Sequence, residues 1–454
     1  MNSRYVIIHG HFYQPPREDP LTEEMPWEPG AHPYRDYNEK ILAECYRPNA
    51  DLGNFSRMSF NIGPTLASWM RRHHPSVLRR IASADQQAVR ETGFGTAIAQ
   101  SYHHTILPLN SSRDRRTELR WGIRSFELLY GRKPRGIWLP ETAVDNATLQ
   151  DCADEGLTFT ILAPGQSQAR GPRAGAYAVS LAGGRSFTIL SYDADLGGIV
   201  SFDPAATVHA GAFAAQHVLP TLSQREDDTA VVTIATDGEV YGHHHKFKDL
   251  FLQDLLARRL GEHGLLPASA EAFVAMHPAT NEAHLLDLTS WGCNHQLSRW
   301  SDGCDCTPGY SAWKRPLRDS FDALAARIDR VFEERGSMYL SDPWAARDAY
   351  IDVVEGAVPF SDWYGQWRTI YGDEEIARQL LEAQRLRLSM YASCAFYWEA
   401  LERLEPTYGI RRARASASLL DETLGTTLVP SFQHDLRSRL YGSEPLAVGV
   451  AAGG

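Results

Sequence analysis

Residues 230–245 read AVVTIATDGEVYGHHH, and their pattern indicates the fold class. Its first part, Ala230 to Ala235, is almost entirely apolar or β-branched, which is typical of a parallel strand that is buried on both faces. Polar side chains begin where that strand should end, with Asp237, Glu239 and a run of histidines. Because parallel strands are joined by helical crossovers, the stretch predicts an α/β protein with a polar edge at the carboxyl ends of its strands.

Other apolar runs alternate with helical patterns before this stretch and predict further strands. They are Tyr5–Ile8, Arg57–Ile62, Gly136–Leu139, Leu157–Leu162 and Phe187–Leu190. The stretch rich in Gly, Ala and Arg at residues 168–185 predicts an exposed loop.

Strand patterns become rare after about residue 290. Apolar residues at helical spacing continue over Trp313–Arg335, Glu374–Leu404 and Gly409–Leu424. The sequence therefore predicts two domains, an α/β domain at residues 1–290 and a helical domain at residues 291–454.

Composition and charge exclude several classes of protein. The 45 Lys and Arg residues against 56 Asp and Glu residues give a formal net charge of −11, which is unfavourable for binding nucleic acid. No apolar run is long enough to span a membrane, and the first one is too short for a signal peptide. Six cysteines are few for 454 residues, which is typical of a reducing compartment. We expect a cytoplasmic chain with neither nucleic acid nor membrane as partner, and the sequence leaves its oligomeric state open.

Two of the cysteines, Cys304 and Cys306, form a CxC pair, whereas common zinc sites use CxxC pairs. Reduced, partly buried thiols are the favoured interpretation, so we expect no metal and no cofactor. The segment 291–295 and the Arg299-Trp300 pair precede these cysteines, and we interpret them as a cleft wall or a domain hinge.

Two segments place a carboxylate directly after a predicted strand. Glu141 follows Gly136–Leu139, and Asp237 follows Thr236. In barrels of alternating strands and helices the carboxyl ends of the strands form the rim on which active sites are built. Two carboxylates on one rim can cleave a glycosidic bond, since one attacks carbon and the other handles the proton of the leaving group. A single acid at the end of a strand is more often a helix cap or a surface charge, so the two acids carry the interpretation only as a pair.

Polar residues of two further segments are expected at the same rim. His9 and His11 end the first predicted strand, and alternate residues of a strand point to the same side. The pair predicts half of a metal site, imidazoles that donate to sugar hydroxyls, or structural histidines. Gln100 and His103 follow another apolar run and are expected to line the same cleft.

Four segments, in their order and separation, resemble the motifs of glycoside hydrolase family 57. They are HGHFYQPP at 9–16, GTAIAQSYHH at 95–104, IWLPETAVD at 137–145 and TDGEVYGHHH at 236–245. A fifth segment, YASCAFYWE at 391–399, resembles the last motif in a weaker form, because it lacks the paired acids and the Trp-Phe-Phe run. The balance between hydrolysis and transfer therefore stays open.

The resemblance implies an incomplete (β/α)7 barrel and a helical C-terminal domain that completes the substrate cleft. It also implies a retaining hydrolase or glucanotransferase that acts on α-linked oligosaccharides or polysaccharides, with Glu141 as nucleophile and Asp237 as general acid and base. The candidate substrate-binding residues are His9, His11, Gln14, Gln100, His103, Trp138, Glu239, His243, Trp300 and Trp398.

Two alternatives compete with that function. One is a metal-dependent polysaccharide deacetylase or α-mannosidase-like enzyme with an ion at His9, His11 and Asp237. The other is a non-catalytic glucan-binding protein, which the altered fifth segment favours.

Overall fold

The computed structural model describes residues 3–169, 175–224 and 229–442. Its contacts divide the chain into two compact units. The first extends to Gln296, except for Asp19–Glu23, which group with the second unit from Leu297 onward.

The first unit contains the strands. In chain order they are β1 (Ser3–Phe12), β2 (Ser59–Ile62), β3 (Ala99–Gln100), β4 (Gly136–Trp138), β5 (Phe159–Leu162), β6 (Ser167–Ala169), β7 (Gly175–Ser180), β8 (Ser186–Ser191), β9 (Thr229–Asp237), β10 (Leu266–Pro267) and β11 (Asn281–Leu285).

Parallel pairing runs through most of these strands. β1 lies between β9 and β2, and its register sets His11 beside Asp237 on one side and beside Asn61 on the other. A parallel bridge from Phe60 to Ala97 leads towards β3, and parallel pairing continues through β4, β5 and β8. Within the described ranges no ladder joins β8 to β9, so the order β9-β1-β2-β3-β4-β5-β8 is an open barrel. The prediction of an incomplete (β/α)7 barrel is confirmed.

Helices connect these strands. The α-helices of the first unit are Tyr37–Ile41, Arg47–Asp51, Pro64–His73, Pro75–Thr92, Ser112–Tyr130, Asn146–Asp154, Ala194–Phe202, Ala210–Phe213, Leu219–Ser223, Lys248–Asp254, Leu260–Glu262 and Ala270–Met276. Asp145 caps the helix Asn146–Asp154 by accepting a hydrogen bond from the backbone N–H of Thr148 at 2.7 Å.

Alternate side chains of each strand point to opposite faces, one set into the barrel interior and the other towards the helices. Ile7 of β1 shares a buried cluster with Trp138, Val231 and Ala235, while the neighbouring residues of β1 belong to a second, larger cluster. Because alternate residues share a face, His9 and His11 follow Ile7, and Asp237 follows Ala235, towards the interior.

The prediction of a loop at residues 168–185 is wrong where the range contains the end of β6 and the whole of β7. β7 pairs antiparallel with β8, and the turn between them has Gly183 and Gly184 at φ of 75° and 70°. Tyr177 and Val179 alternate into the core, a pattern too short for the composition of the stretch to reveal. Residues 170–174 lie outside the described ranges.

The second unit is helical, as predicted. Its α-helices are Lys314–Gly336, Pro343–Ala349, Ile351–Val354, Phe360–Trp367, Glu374–Ser389, Cys394–Tyr397, Leu404–Leu424 and Leu428–Tyr441. None of the helices in the described part of the chain has both the length and the apolar character that crossing a membrane requires.

The helical pattern over Glu374–Leu404 does not form one continuous helix. The chain turns at residues 390–393 and returns as Leu404–Leu424, so the two long helices pack against each other. Gly409 permits this close return, because a Cβ atom there would lie 3.1 Å from the carbonyl oxygen of Met390. The apolar pattern continues beyond the first helix because residues of the turn and just after it are buried too, among them Ala392, Ala395 and Phe396.

Candidate functional site

His9 lies fully buried in the barrel interior. Its Nδ1 is 3.1 Å from Oγ of Ser59 and its Nε2 is 3.2 Å from Oδ1 of Asn61. The ring stacks on Trp138 with the centroids 4.9 Å apart. Burial, with a smaller contribution from His11, lowers the pKa of His9 to about 3, so the imidazole is neutral. Since both ring nitrogens already have protein partners, the geometry does not support His9 as a metal ligand.

His11 pairs with another histidine. Its Nε2 lies 3.1 Å from Nε2 of His104, so one of the two rings donates and the other accepts. Tyr13 stacks on His104 at 3.8 Å, and His11 stacks on Trp138 at 5.1 Å. Burial lowers the pKa of His11 to about 3 and that of His104 well below its usual value. The site therefore contains neutral imidazoles among stacked rings.

Asn61 joins Gln100 to these histidines. Its Nδ2 donates to Oε1 of Gln100 at 2.8 Å and lies 2.9 Å from Nδ1 of His11. His103 is placed differently from its neighbour, because its backbone N–H and its Nδ1 both bond to Glu118, at 2.8 and 2.7 Å. The structure thus brings Gln100 and His104 to His11, and directs Nδ1 of His103 to the helix that carries Glu118.

Glu141 occupies a strained turn directly after β4. Its φ is 57° and that of Thr142 is 51°, a region that β-branched residues rarely enter. Thr142 is held by its Oγ1, which donates to Gln166 and accepts from the backbone N–H of Trp291, both at 2.8 Å. Gln166 also donates to the carbonyl oxygen of Thr142 at 2.7 Å. Such a backbone persists only where its surroundings hold it, and strain of this kind is common at active sites.

Trp291 connects Glu141 to the histidines. Its Nε1–H donates to Oε2 of Glu141 at 3.0 Å. Its ring centroid lies 5.1 Å from that of Trp138 and 6.5 Å from that of His11. A hydrogen bond to a carboxylate favours the ionised form and fixes the orientation of the group.

Asp237 ends β9 beside His11. Its side chain reaches solvent, yet protein surrounds it closely enough for desolvation to raise its pKa to about 6, as at the floor of a cleft. Burial and, as a smaller cause, the charge of Asp237 raise the pKa of Tyr192 to about 12. Tyr192 lies 6.5 Å from Trp291, the partner of Glu141. Both carboxylates therefore belong to one connected group of side chains at one edge of the barrel.

Glu239 is a second acid with a raised pKa, and the charge of Asp237 acts on it. It accepts hydrogen bonds from the Tyr46 hydroxyl at 2.7 Å and from the backbone N–H of Tyr13 at 3.2 Å. Burial and, secondarily, the charge of Asp237 raise its pKa to about 8. Gln14 is oriented by Arg17, whose Nη2 donates to its Oε1 at 2.8 Å.

His243 pairs with a carboxylate away from the stacked rings. Its Nδ1 lies 2.6 Å from Oε2 of Glu44, whose other oxygen pairs with Lys246.

The second unit holds the two remaining candidates. Trp300 is completely buried, so its ring offers no surface to a ligand and the proposed sugar contact is not supported. Trp398 is 37% exposed, and the guanidinium of Arg403 lies 4.2 Å from its ring centroid.

Sequence reasoning missed four members of the site. Asn61 is a polar residue inside a buried strand, and His104 directly follows the candidate His103. Both could therefore have been predicted from the sequence. Trp291 lies in a segment that was interpreted only as a wall or hinge. Tyr192 had no signal beyond its place after β8.

Comparison with protein families gave two matches. The model of glycosyl hydrolase family 57 matches residues 8–282, and the model described as domain of unknown function (DUF3536) matches residues 310–440. No curated protein matches the chain.

Solved structures with the same fold include an exo-type maltose-forming amylase from Pyrococcus sp. ST04. It is 14% identical, with 96% of this chain and 83% of that chain covered and a TM-score of 0.74. A family 57 branching enzyme from Thermococcus kodakaraensis is 14% identical, with coverages of 100% and 97% and a TM-score of 0.64. The α-amylase AmyC from Thermotoga maritima is 13% identical, with coverages of 98% and 100% and a TM-score of 0.60.

Proposed function

Since the chain belongs to glycosyl hydrolase family 57, as its motifs predict, we propose that it is a retaining enzyme acting on α-linked glucans, either as a hydrolase or as a glucanotransferase. The similar structures are two amylases and a branching enzyme, which supports this substrate class. One observation carries the proposal. Glu141 and Asp237 lie at one edge of the barrel in opposite environments, Glu141 with a hydrogen-bond donor and Asp237 with a pKa raised to about 6.

In the first step Glu141 attacks the anomeric carbon of the bound sugar. Asp237 gives its proton to the glycosidic oxygen, the bond from carbon to that oxygen breaks, and a covalent glycosyl-enzyme forms. The donor from Trp291 keeps the attacking carboxylate oriented, and the strained turn fixes its backbone. The imidazole pair of His11 and His104 is neutral, so it adds no positive charge beside the carboxylates.

In the second step Asp237, now ionised, takes a proton from water or from a sugar hydroxyl. The activated oxygen attacks the anomeric carbon and releases Glu141, so that the configuration of the sugar is retained. A retaining pair needs carboxyl groups about 5–5.5 Å apart, and this is the separation that we propose for Glu141 and Asp237. Glu239 keeps its proton near neutral pH and so adds no charge next to Asp237.

Nucleophile and acid/base variants distinguish the two roles. Glu141→Ala and Asp237→Ala should both lose activity while Glu127→Ala, on the helix Ser112–Tyr130, keeps it. Added azide should attack from the vacated side. It should give Asp237→Ala a product of retained configuration and Glu141→Ala a product of inverted configuration. The reverse pattern would exchange the two roles.

A panel of maltooligosaccharides identifies the acceptor. Chromatography of the products should show only shorter chains if water is the acceptor and longer chains as well if a sugar is. Binding of the panel without any product would instead support a glucan-binding protein.

We also place this activity in the cytoplasm. All six cysteines lie in the described part of the chain and none is in a disulfide, which agrees with a reducing compartment.

A further inference from the structure

Four ligand-type side chains meet in the segment 293–306. Cys293, His295, Cys304 and Cys306 each offer one sulfur or imidazole nitrogen, and these atoms all lie within 4.8 Å of one another. The ligands follow the pattern C-x-H-x8-C-x-C within one continuous stretch of chain. Their meeting is therefore set by the local path of this segment.

We propose that this cluster binds a structural zinc ion. Three thiolates and one imidazole form a Cys3His set, which zinc takes in closed tetrahedral sites. Zinc–sulfur bonds of about 2.3 Å place tetrahedral ligand atoms roughly 3.5–3.8 Å apart. Small side-chain rotations close the present spread of up to 4.8 Å to that value. Soft thiolates also favour zinc over magnesium or calcium.

Hydrogen bonds within the segment suit thiolate ligands. The backbone N–H of His295 donates to Sγ of Cys293 at 3.4 Å, which favours the thiolate over the thiol. Two zinc charges against three thiolates leave a net charge of −1 on the site. Arg299 donates to the carbonyl oxygen of Cys306 at 2.9 Å, and the fully buried Lys314 donates to Thr307 Oγ1 at 3.2 Å. These two cations, bound to the chain at and after Cys306, offset that negative charge.

The backbone conformation of the segment is a second reason to expect a bound ion. Gln296 and Leu297 are consecutive residues at positive φ, 51° and 68°, and they carry the chain from the first pair of ligands towards the second. Apart from the short turn Ser298–Trp300, the segment has no regular secondary structure. An ion bound by both pairs of ligands stabilises such a reversal, since it closes the loop between them. It also restrains Trp291, which is two residues before Cys293.

The sequence alone favoured reduced thiols because the CxC pair was considered without its partners. The structure supplies those partners, Cys293 and His295, from the same segment. A zinc site there is independent of the glycosidase proposal, and it is tested without measuring activity.

Metal analysis of the full chain, purified without a polyhistidine tag, tests the proposal. Mass spectrometry of the metals should find about one zinc per chain after mild chelator washing. Replacement of the zinc by cobalt should give the thiolate charge-transfer and d–d absorption bands of a tetrahedral sulfur site. A chain that retains no metal and has all six thiols titratable, or has a disulfide within the cluster, would overturn the proposal.

Variants locate the ion. Cys304→Ser and Cys306→Ser should lower the zinc content at least twofold and lower Tm by about 4 °C or more. Cys394→Ser, which removes a thiol of similar exposure outside the cluster, should keep the zinc. If the cysteine variants do not fold, His295→Ala tests the same site, because this side chain is exposed. Its zinc affinity, measured by competition with a chromophoric chelator, should fall at least tenfold. Unchanged affinity in His295→Ala, or zinc that persists in the cysteine variants, as expected for binding at residues 243–245, would contradict the assignment.

Discussion

The indole N–H of Trp291 donates a hydrogen bond to Oε2 of Glu141 across 3.0 Å. The backbone N–H of the same tryptophan bonds to the hydroxyl of Thr142, which follows Glu141 in the strained turn. One residue therefore holds both the carboxylate and the backbone that carries it. This relationship fixes the orientation of Glu141, which its proposed role as nucleophile requires.

Replacing Trp291 by Phe removes the donor and keeps most of the ring. A hydrogen bond to a charged group is worth about 1.5–3 kcal/mol, so kcat/KM on maltooligosaccharides should fall roughly 10- to 100-fold. Trp363→Phe is the matched control, because it removes an indole donor to the carbonyl oxygen of Ala349 in the helical unit. Equal kcat/KM in Trp291→Phe and the unmodified enzyme would show that the bond does not serve the reaction.

The pH dependence of kcat/KM should show the ionisation of Asp237. Its pKa is raised to about 6, and the first step needs its proton, so activity should decline as the pH rises through about 6. Asp237→Asn should lose both the activity and this decline. Rates that stay level between about pH 5 and pH 8 would contradict the role of Asp237 as acid.

Glu239 should make the fold less stable as the pH rises. Its pKa is about 8 in the folded protein and 4.5 ordinarily, so between these values the folded state holds a proton that the unfolded state has released. The free energy of unfolding therefore falls from about pH 4.5 to about pH 8. Glu239→Gln keeps an acceptor for Tyr46 and removes the charge. Its Tm should exceed that of the unmodified protein by an amount that grows with pH over this range, whereas Glu127→Gln should show no such trend.

The left-handed turn at Glu141 predicts an order of stability between two inactive variants. At a φ of 57° any residue with a Cβ atom is strained and glycine is not. Glu141→Gly should therefore be more stable than Glu141→Ala by roughly 0.5–1 kcal/mol in denaturant unfolding. Glu155 has a φ of −86°, so the corresponding pair there should show the opposite order. The same order at both positions would mean that the turn carries no strain.

The strands and both carboxylates could be predicted because their signals are local. Buried runs such as Ala230–Ala235 stand out in any window of the sequence, and Glu141 and Asp237 directly follow their strands. The contact of Trp291 with Glu141 could not be predicted in this way, because it joins residues far apart in sequence and depends on where a loop returns. The pairing of His11 with His104 rather than His103 depends on a single left-handed residue, His104 at a φ of 58°.

The helical unit shows the limit of periodicity. Apolar residues continue over Glu374–Leu404 before and after the turn at residues 390–393, since Ala392 and Phe396 are buried like the face of the preceding helix. The turn itself contains neither Gly nor Pro, so the spacing of apolar residues does not indicate where the chain reverses. Here the glycine that permits the reversal, Gly409, lies in the returning helix.

Trapping of the covalent intermediate tests whether Glu141 attacks the sugar. A fluorinated α-glycosyl fluoride, which slows breakdown of the glycosyl-enzyme, should label the protein once per chain. Peptide mass spectrometry should then place the sugar on Glu141. A sugar on any other residue, or turnover of the reagent with no label at all, would contradict attack by Glu141.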